Sequence, residues 1–209
     1  MSDARLRAAD HLRRLGHAIV DHQADDAFFD RATTAAGTLL ADLEQAPSRQ
    51  RAVLEMKADL FAAPAPEGGA RSHFPDCIVT GHANPLGVAA SVHREGEEGV
   101  LTATLGAAFE GAPGRAHGGI VAALLDEVMG FVLSIVGTPA YTGRLTVTYR
   151  APTPLGVELE FRARLLERSG RKLTIAAEGR HGGKRFAEAE ALFIAVDPDH
   201  FNTGGPGDG

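Results

Sequence analysis

The chain has 209 residues, of which 44% are hydrophobic and 23% charged, with a formal net charge of −6. Such a composition fits a globular protein of one large domain, or of one domain with an extension, while the acidic balance and the lack of any Lys/Arg run exclude a nucleic-acid footprint. A single cysteine, Cys77, excludes an intramolecular disulfide framework and suits a reducing compartment.

The chain opens Met-Ser-Asp-Ala-Arg-Leu-Arg, without an apolar signal core, which predicts a cytoplasmic location. Ala8, Leu12, Leu15 and Ile19 recur at helical spacing and predict an amphipathic helix over 4–22. A second helix is expected from about 26 to 45, with Phe28, Phe29, Ala32, Ala36, Leu39, Leu40 and Leu43 on one side. Pro47 breaks the chain, and a shorter helical piece runs through Leu54 to Phe61. Residues 1–61 therefore read as a helical N-terminal extension, and 62–80, containing Pro64, Pro66, Gly68 and Gly69, as a linker.

Residues 81–197 form the expected main domain. Its centre is His117-Gly118-Gly119, a turn that opens a run whose clearly polar side chains, as far as Val136, are Asp126, Glu127 and Ser134. A helix apolar all round is a buried helix. The length would also suit a short membrane span, but adjacent acids near its centre would cost roughly 2.5–3.5 kcal/mol each in lipid, so it reads as a protein core and not a membrane helix.

Strand periodicity flanks this helix. Val100–Leu105 alternates weakly before it. After it, Leu145, Val147 and Tyr149 alternate with Thr146, Thr148 and Arg150, and Val157, Leu159, Phe161, Ala163 and Leu165 with Glu158, Glu160, Arg162 and Arg164. That is one dry and one wet face of an antiparallel sheet. Turns at Ser169-Gly170 and at His181-Gly182-Gly183-Lys184 lead to strands near 171–180 and 184–196. One helix within a run of strands must pack on one face of a sheet that can curl around it, an α+β architecture. Residues 198–209, ending Gly-Gly-Pro-Gly-Asp-Gly, are expected to be disordered.

The start of the central helix offers backbone N–H groups without helical partners and the positive end of the dipole. Glycine at 118 and 119 lets a carbonyl approach that backbone, and a desolvated carboxylate two turns along supplies a base. Metal chemistry is not expected. His11, His17 and His22 lie on a charged helix, His73 and Cys77 are separated by Pro75, and no cluster has zinc spacing. Walker and dinucleotide loops and a Gly-x-Ser-x-Gly elbow are also lacking.

The segment Glu110-Gly-Ala-Pro-Gly-Arg-Ala-His117-Gly118-Gly119, followed by Leu124-Leu125-Asp126, resembles the hotdog-fold acyl-CoA thioesterases. The resemblance is to the branch with the phenylacetyl-CoA-type and human thioesterase-superfamily enzymes, and runs from about Asn84 to Val196. It implies a hotdog fold, an antiparallel β-sheet wrapped around a long central helix, and hydrolysis of acyl-CoA without a cofactor. It implies that the Gly118 N–H meets the thioester oxygen and that Asp126 is general base or nucleophile. His117 and Asn84 would contact the thioester, Thr142 would supply a hydroxyl, and Gly119, Leu125 and Met129 would line the substrate. At the position where some members carry that hydroxyl, two residues later, this chain has Arg144.

Eight residues of helix span roughly 12 Å, so one chain's Gly118 and Asp126 cannot reach one carbonyl. Two antiparallel copies would bring them together, which predicts a homodimer with shared sites, or a dimer of dimers (homotetramer). A second reading is a non-catalytic acyl-CoA-binding module, which would gain nothing from a desolvated carboxylate.

Overall fold

The computed structural model describes residues 2–49, 64–69 and 74–196. The helical piece expected at Leu54–Phe61, His73, parts of the 62–80 linker and the tail from Pro198 lie outside the described residues.

Two helices lead the chain, α1 (Asp3–Asp21) and α2 (Asp26–Glu44). The Asp25 side chain caps α2 by accepting the Phe28 N–H at 2.8 Å, which satisfies one of the free donors of the first turn. Helix α1 packs on the segment Ala107–Phe109, whereas no residue of α2 is buried.

Next come β1 (Ser91–Glu95), β2 (Glu98–Thr104), a 3-10 turn at Ala107–Phe109 and a small hairpin of β3 (Glu110–Ala112) and β4 (Arg115–Ala116). Helix α3 (Gly118–Ile135) follows, then β5 (Ala140–Tyr149), β6 (Glu158–Ser169), β7 (Lys172–His181) and β8 (Lys184–Ala195). Six strands form one antiparallel sheet in the order β1-β2-β6-β7-β8-β5. It wraps one side of α3, so the architecture is the expected hotdog fold. The sequence reading lacked the β3–β4 hairpin, whose strands of three and two residues are too short to show a period.

The hairpin between β7 and β8 turns at Gly182 and Gly183, both with positive φ (54° and 77°), the geometry that a two-residue turn between twisted strands requires. This second His-Gly-Gly is a turn and nothing more.

Leu124, Leu125, Val128, Met129, Phe131 and Val132 of α3 form the core with Leu101, Leu159, Phe161, Leu173, Ile175 and Phe193 of the sheet. Gly99 lets β2 come close: a Cβ there would lie 3.0 Å from the Phe131 ring and 3.1 Å from the Val128 carbonyl oxygen. The outer sheet face carries ion pairs, with Arg162 bonding Glu95, Glu98 and Glu160, and Arg180 bonding Glu178. This wet face explains the Glu/Arg alternation of β6.

The helix is not buried all round, as its composition suggested. Gly119 is exposed, and Ala122, Ala123, Asp126 and Gly130 are half-buried along one stripe, while the opposite side is sealed. These positions recur at three and four residues, so they share a face.

Candidate active site

The start of α3 is set by the turn before it. The His117 N–H donates to the Phe109 carbonyl at 2.8 Å, and the His117 carbonyl accepts from Ile120 at 3.0 Å to begin the helix. His117 is the N-cap with extended backbone (φ −65°, ψ 133°), and its Nδ1 accepts the Gly119 N–H at 2.9 Å. Because Nδ1 accepts, the ring proton sits on Nε2. One amide of the first turn is left over: among the described residues the Gly118 N–H has no acceptor. It points from the positive end of an 18-residue helix.

Tyr149, at the far end of β5, closes over this turn. Its hydroxyl donates to the Gly118 carbonyl at 2.7 Å, and a Cβ on Gly118 would lie 3.3 Å from its ring. The same peptide unit thus accepts from Tyr149 at its C=O and donates to His117 at its N–H. Sequence reasoning missed Tyr149, because an alternating strand aromatic carries no signal of a partner thirty-one residues earlier.

Two turns along α3, Asp126 accepts the Thr142 hydroxyl on Oδ1 at 3.0 Å. Its Oδ2 has no protein partner among the described residues. Burial raises the Asp126 pKa above the ordinary 3.8, the Thr142 hydrogen bond offsets part of that rise, and the nearby Glu127 charge adds to it. A half-buried carboxylate with one oxygen free and raised basicity is equipped to take a proton from water.

The side chain that reaches Asp126 is Thr142, two residues before Arg144. The pairing of β5 with β8 shifts between Thr142, opposite the buried Phe193, and Arg144, opposite Leu192. Gly143 is the extra residue of a bulge. In a regular strand residues 142 and 144 would share a face; the bulge turns Thr142 inward to α3 and Arg144 outward.

The remaining expected residues are placed differently. The Asn84 amide donates to the Asp76 carbonyl at 3.1 Å, and its Oδ1 accepts the Leu86 N–H at 2.9 Å in an Asx turn, so both its ends shape the 76–87 loop and none joins His117. Leu125 and Met129, expected beside the substrate, are both 0% exposed and belong to the core under the sheet. Leu125 lies about 100° round the helix from Asp126, which turns it to the sheet. Gly119 is exposed beside His117. Glu127, the acid next to Asp126, accepts from Thr80 at 2.7 Å and from Cys77 at 3.5 Å, which ties the 74–90 segment to α3. Among the described residues no group of His, Cys, Asp and Glu could hold a metal ion.

The structure therefore brings together two half-sites, His117–Gly118–Tyr149 and Asp126–Thr142. They are separated by eight residues of one helix, roughly 12 Å. Beside the first half lies a cavity of about 350 Å³, lined by Arg115, Gly118, Val121, Tyr149, Arg150 and Thr153 among others.

Residues 113–187 match the family model of the thioesterase superfamily. The chain is 31% identical over 97 residues to the acyl-coenzyme A thioesterase THEM4 of Bos taurus, covering 46% of this chain and 40% of that protein. With THEM4 of Mus musculus it shares 33% identity over 93 residues, 44% of this chain and 40% of the relative. The chain thus spans about two-fifths of the curated relatives it matches. A crystal structure of a thioesterase superfamily protein is similar at 29% identity and a TM-score of 0.78, over 93% of this chain and 92% of the other. A likeness of that span includes residues N-terminal to the sheet as well as the sheet itself.

Proposed function

We propose that this chain hydrolyses acyl-CoA thioesters as a homodimer with shared active sites. The observation that carries the reading is the pair of half-sites on one helix: among the described residues, an amide donor without an acceptor at Gly118, and a carboxylate held by Thr142 with one oxygen free at Asp126. The matched thioesterase superfamily domain and the THEM4 relatives support thioester chemistry.

In this reading the thioester carbonyl oxygen accepts the Gly118 N–H of one protomer, and Asp126 of its partner removes a proton from water as the water oxygen bonds to the carbonyl carbon. Negative charge collects on the carbonyl oxygen and is stabilised by the fixed amide and the helix dipole. Collapse of the tetrahedral species breaks the C–S bond, the proton held on Asp126 neutralises the departing thiolate, and free acid and coenzyme A leave. The alternative, direct attack by Asp126 to give an anhydride that water then cleaves, uses the same groups.

Reach supports the dimer: about 12 Å of helix separates donor and base within a chain. Two further features suit it. The half-open stripe of α3 has small residues, and a Cβ on Gly130 would meet nothing within 4 Å. Strand β5 is a ten-residue sheet edge, paired on one side only among the described residues. Coenzyme A phosphates would find Arg115 at the cavity beside Gly118; Arg150, at the same cavity, is already bonded to Glu188.

The test is thiol release from acetyl-, hexanoyl-, lauroyl-, palmitoyl- and phenylacetyl-CoA. Turnover of any of them supports the reading and ranks the acyl pocket; saturable binding with no turnover would replace it by a non-catalytic binding module. Tyr149→Phe removes one hydroxyl bond, a change of about 0.5–1.5 kcal/mol. A three- to tenfold lower kcat is expected from it (about that energy in the barrier), with far-ultraviolet circular dichroism unchanged.

A further inference from the structure

We propose that the N-terminal helix α1 is a working part of the active site, with His17 as a positioning residue that braces the turn presenting His117 and Gly118. The inference rests on the hydrolase reading for its catalytic consequence, but the brace itself stands on contacts within the chain.

The 106–111 segment is gripped between two histidines. On one side His17 Nδ1 accepts the Ala108 N–H at 3.0 Å, and its ring packs edge-on against Phe109 with centroids 5.1 Å apart. On the other side the Phe109 carbonyl accepts the His117 N–H at 2.8 Å. Glycines at both ends make the grip possible. A Cβ on Gly106 would lie 2.6 Å from His17 Nδ1, and one on Gly111 would lie 2.6 Å from His117 Cα. Any side chain at either position would push one histidine away.

Helix α1 is itself fastened so that it can act as a brace. Arg13 donates to the carbonyls of Gly87 and Asn84 at 2.9 Å each and of His82 at 3.2 Å, and Arg5 pairs with Asp76. A guanidinium bonded to three backbone oxygens of one loop, on a side chain that is 11% exposed, fixes the helix to that loop. The line of force then runs from Arg13 through His17 and Ala108–Phe109 to the His117 N–H, and so to the aim of the Gly118 N–H. A donor must hold its position before charge develops, and small misplacement is costly.

The experiment compares the full-length parent with His17→Ala, His17→Asn and His11→Ala by amide hydrogen exchange and thiol release. Asn places an acceptor oxygen where Nδ1 stands, and His11 is an exposed histidine of the same helix that, among the described residues, bonds only within it. The expected result for His17→Ala is faster exchange confined to 106–118, with kcat about tenfold lower and KM within about twofold. His17→Asn is expected to recover both, and His11→Ala to change neither. Unchanged exchange and kcat in His17→Ala would overturn the proposal, as would a His17→Asn protein no better than His17→Ala. A parent that releases no thiol overturns the hydrolase reading alone: the exchange arm would still decide the brace.

Discussion

Asp126→Asn is expected to lower kcat by two to four orders of magnitude, the range that a positioned general base contributes. Asn is nearly isosteric and its carbonyl still accepts the Thr142 hydroxyl, so what is lost is the proton acceptor, not the packing. Thiol release from the best acyl-CoA, measured beside circular dichroism, checks it; comparable rates would remove Asp126 from the mechanism.

The pH dependence has a definite sign. Asp126 must be ionised to act as a base, and its pKa is raised first by burial and then by Glu127, against the Thr142 bond. The acid limb of kcat/KM should therefore lie above the 3.8 of an ordinary aspartate. Stability runs the other way. A carboxyl whose folded pKa exceeds its unfolded one favours the fold below the unfolded value, and that contribution is lost as pH rises through the folded value. At neutral pH the ionised Asp126 is a burden, so Asp126→Asn should melt higher than the parent, with the gap closing as pH falls below the ordinary aspartate range.

The fold was legible because both of its periods are strong. The helical spacing of α1 and α2 placed those helices to within a residue, and the Glu/Arg alternation placed the start of β6 as closely, though the strand runs on past Leu165 to Ser169. The central helix announced itself by composition, and Asp126 by being an acid within it. What sequence could not supply was parity and partnership. The bulge at Gly143 decides that Thr142 and not Arg144 faces α3; an isolated glycine in a strand hints at a bulge but does not fix the parity on either side of it. Asn84 was placed at the thioester by resemblance, yet its amide is committed to a local Asx turn that any Asn-Pro could form. Leu125 and Met129 neighbour Asp126 in sequence, but helix rotation turns them into the core. Tyr149 and His17 act on residues 31 and 91 positions away, across contacts that only the folded chain creates.

Gly118→Pro should be the second crippling change, with kcat falling by 10²–10³, the cost of losing one oxyanion donor. Proline deletes the N–H and little else at this position. It is the first helical residue, where proline is well tolerated because its missing donor would have no helical partner. The preceding His117 already holds the extended backbone that a following proline demands. The new ring meets Tyr149 at about the 3.3 Å found for a Cβ, and that tyrosine, 50% exposed, has room to give. Gly118→Ala adds the same Cβ while keeping the N–H, so an alanine rate far above the proline rate assigns the loss to the donor; equal losses would assign it to crowding. The two crippled proteins then test the shared site directly. If Gly118 and Asp126 of different protomers form one centre, unfolding and refolding an equal mixture of Gly118→Pro and Asp126→Asn makes half the dimers mixed, each with one intact site and one doubly defective site. The mixture should recover about a quarter of the parental rate. Sites built within one chain would recover nothing, since each chain carries one lesion.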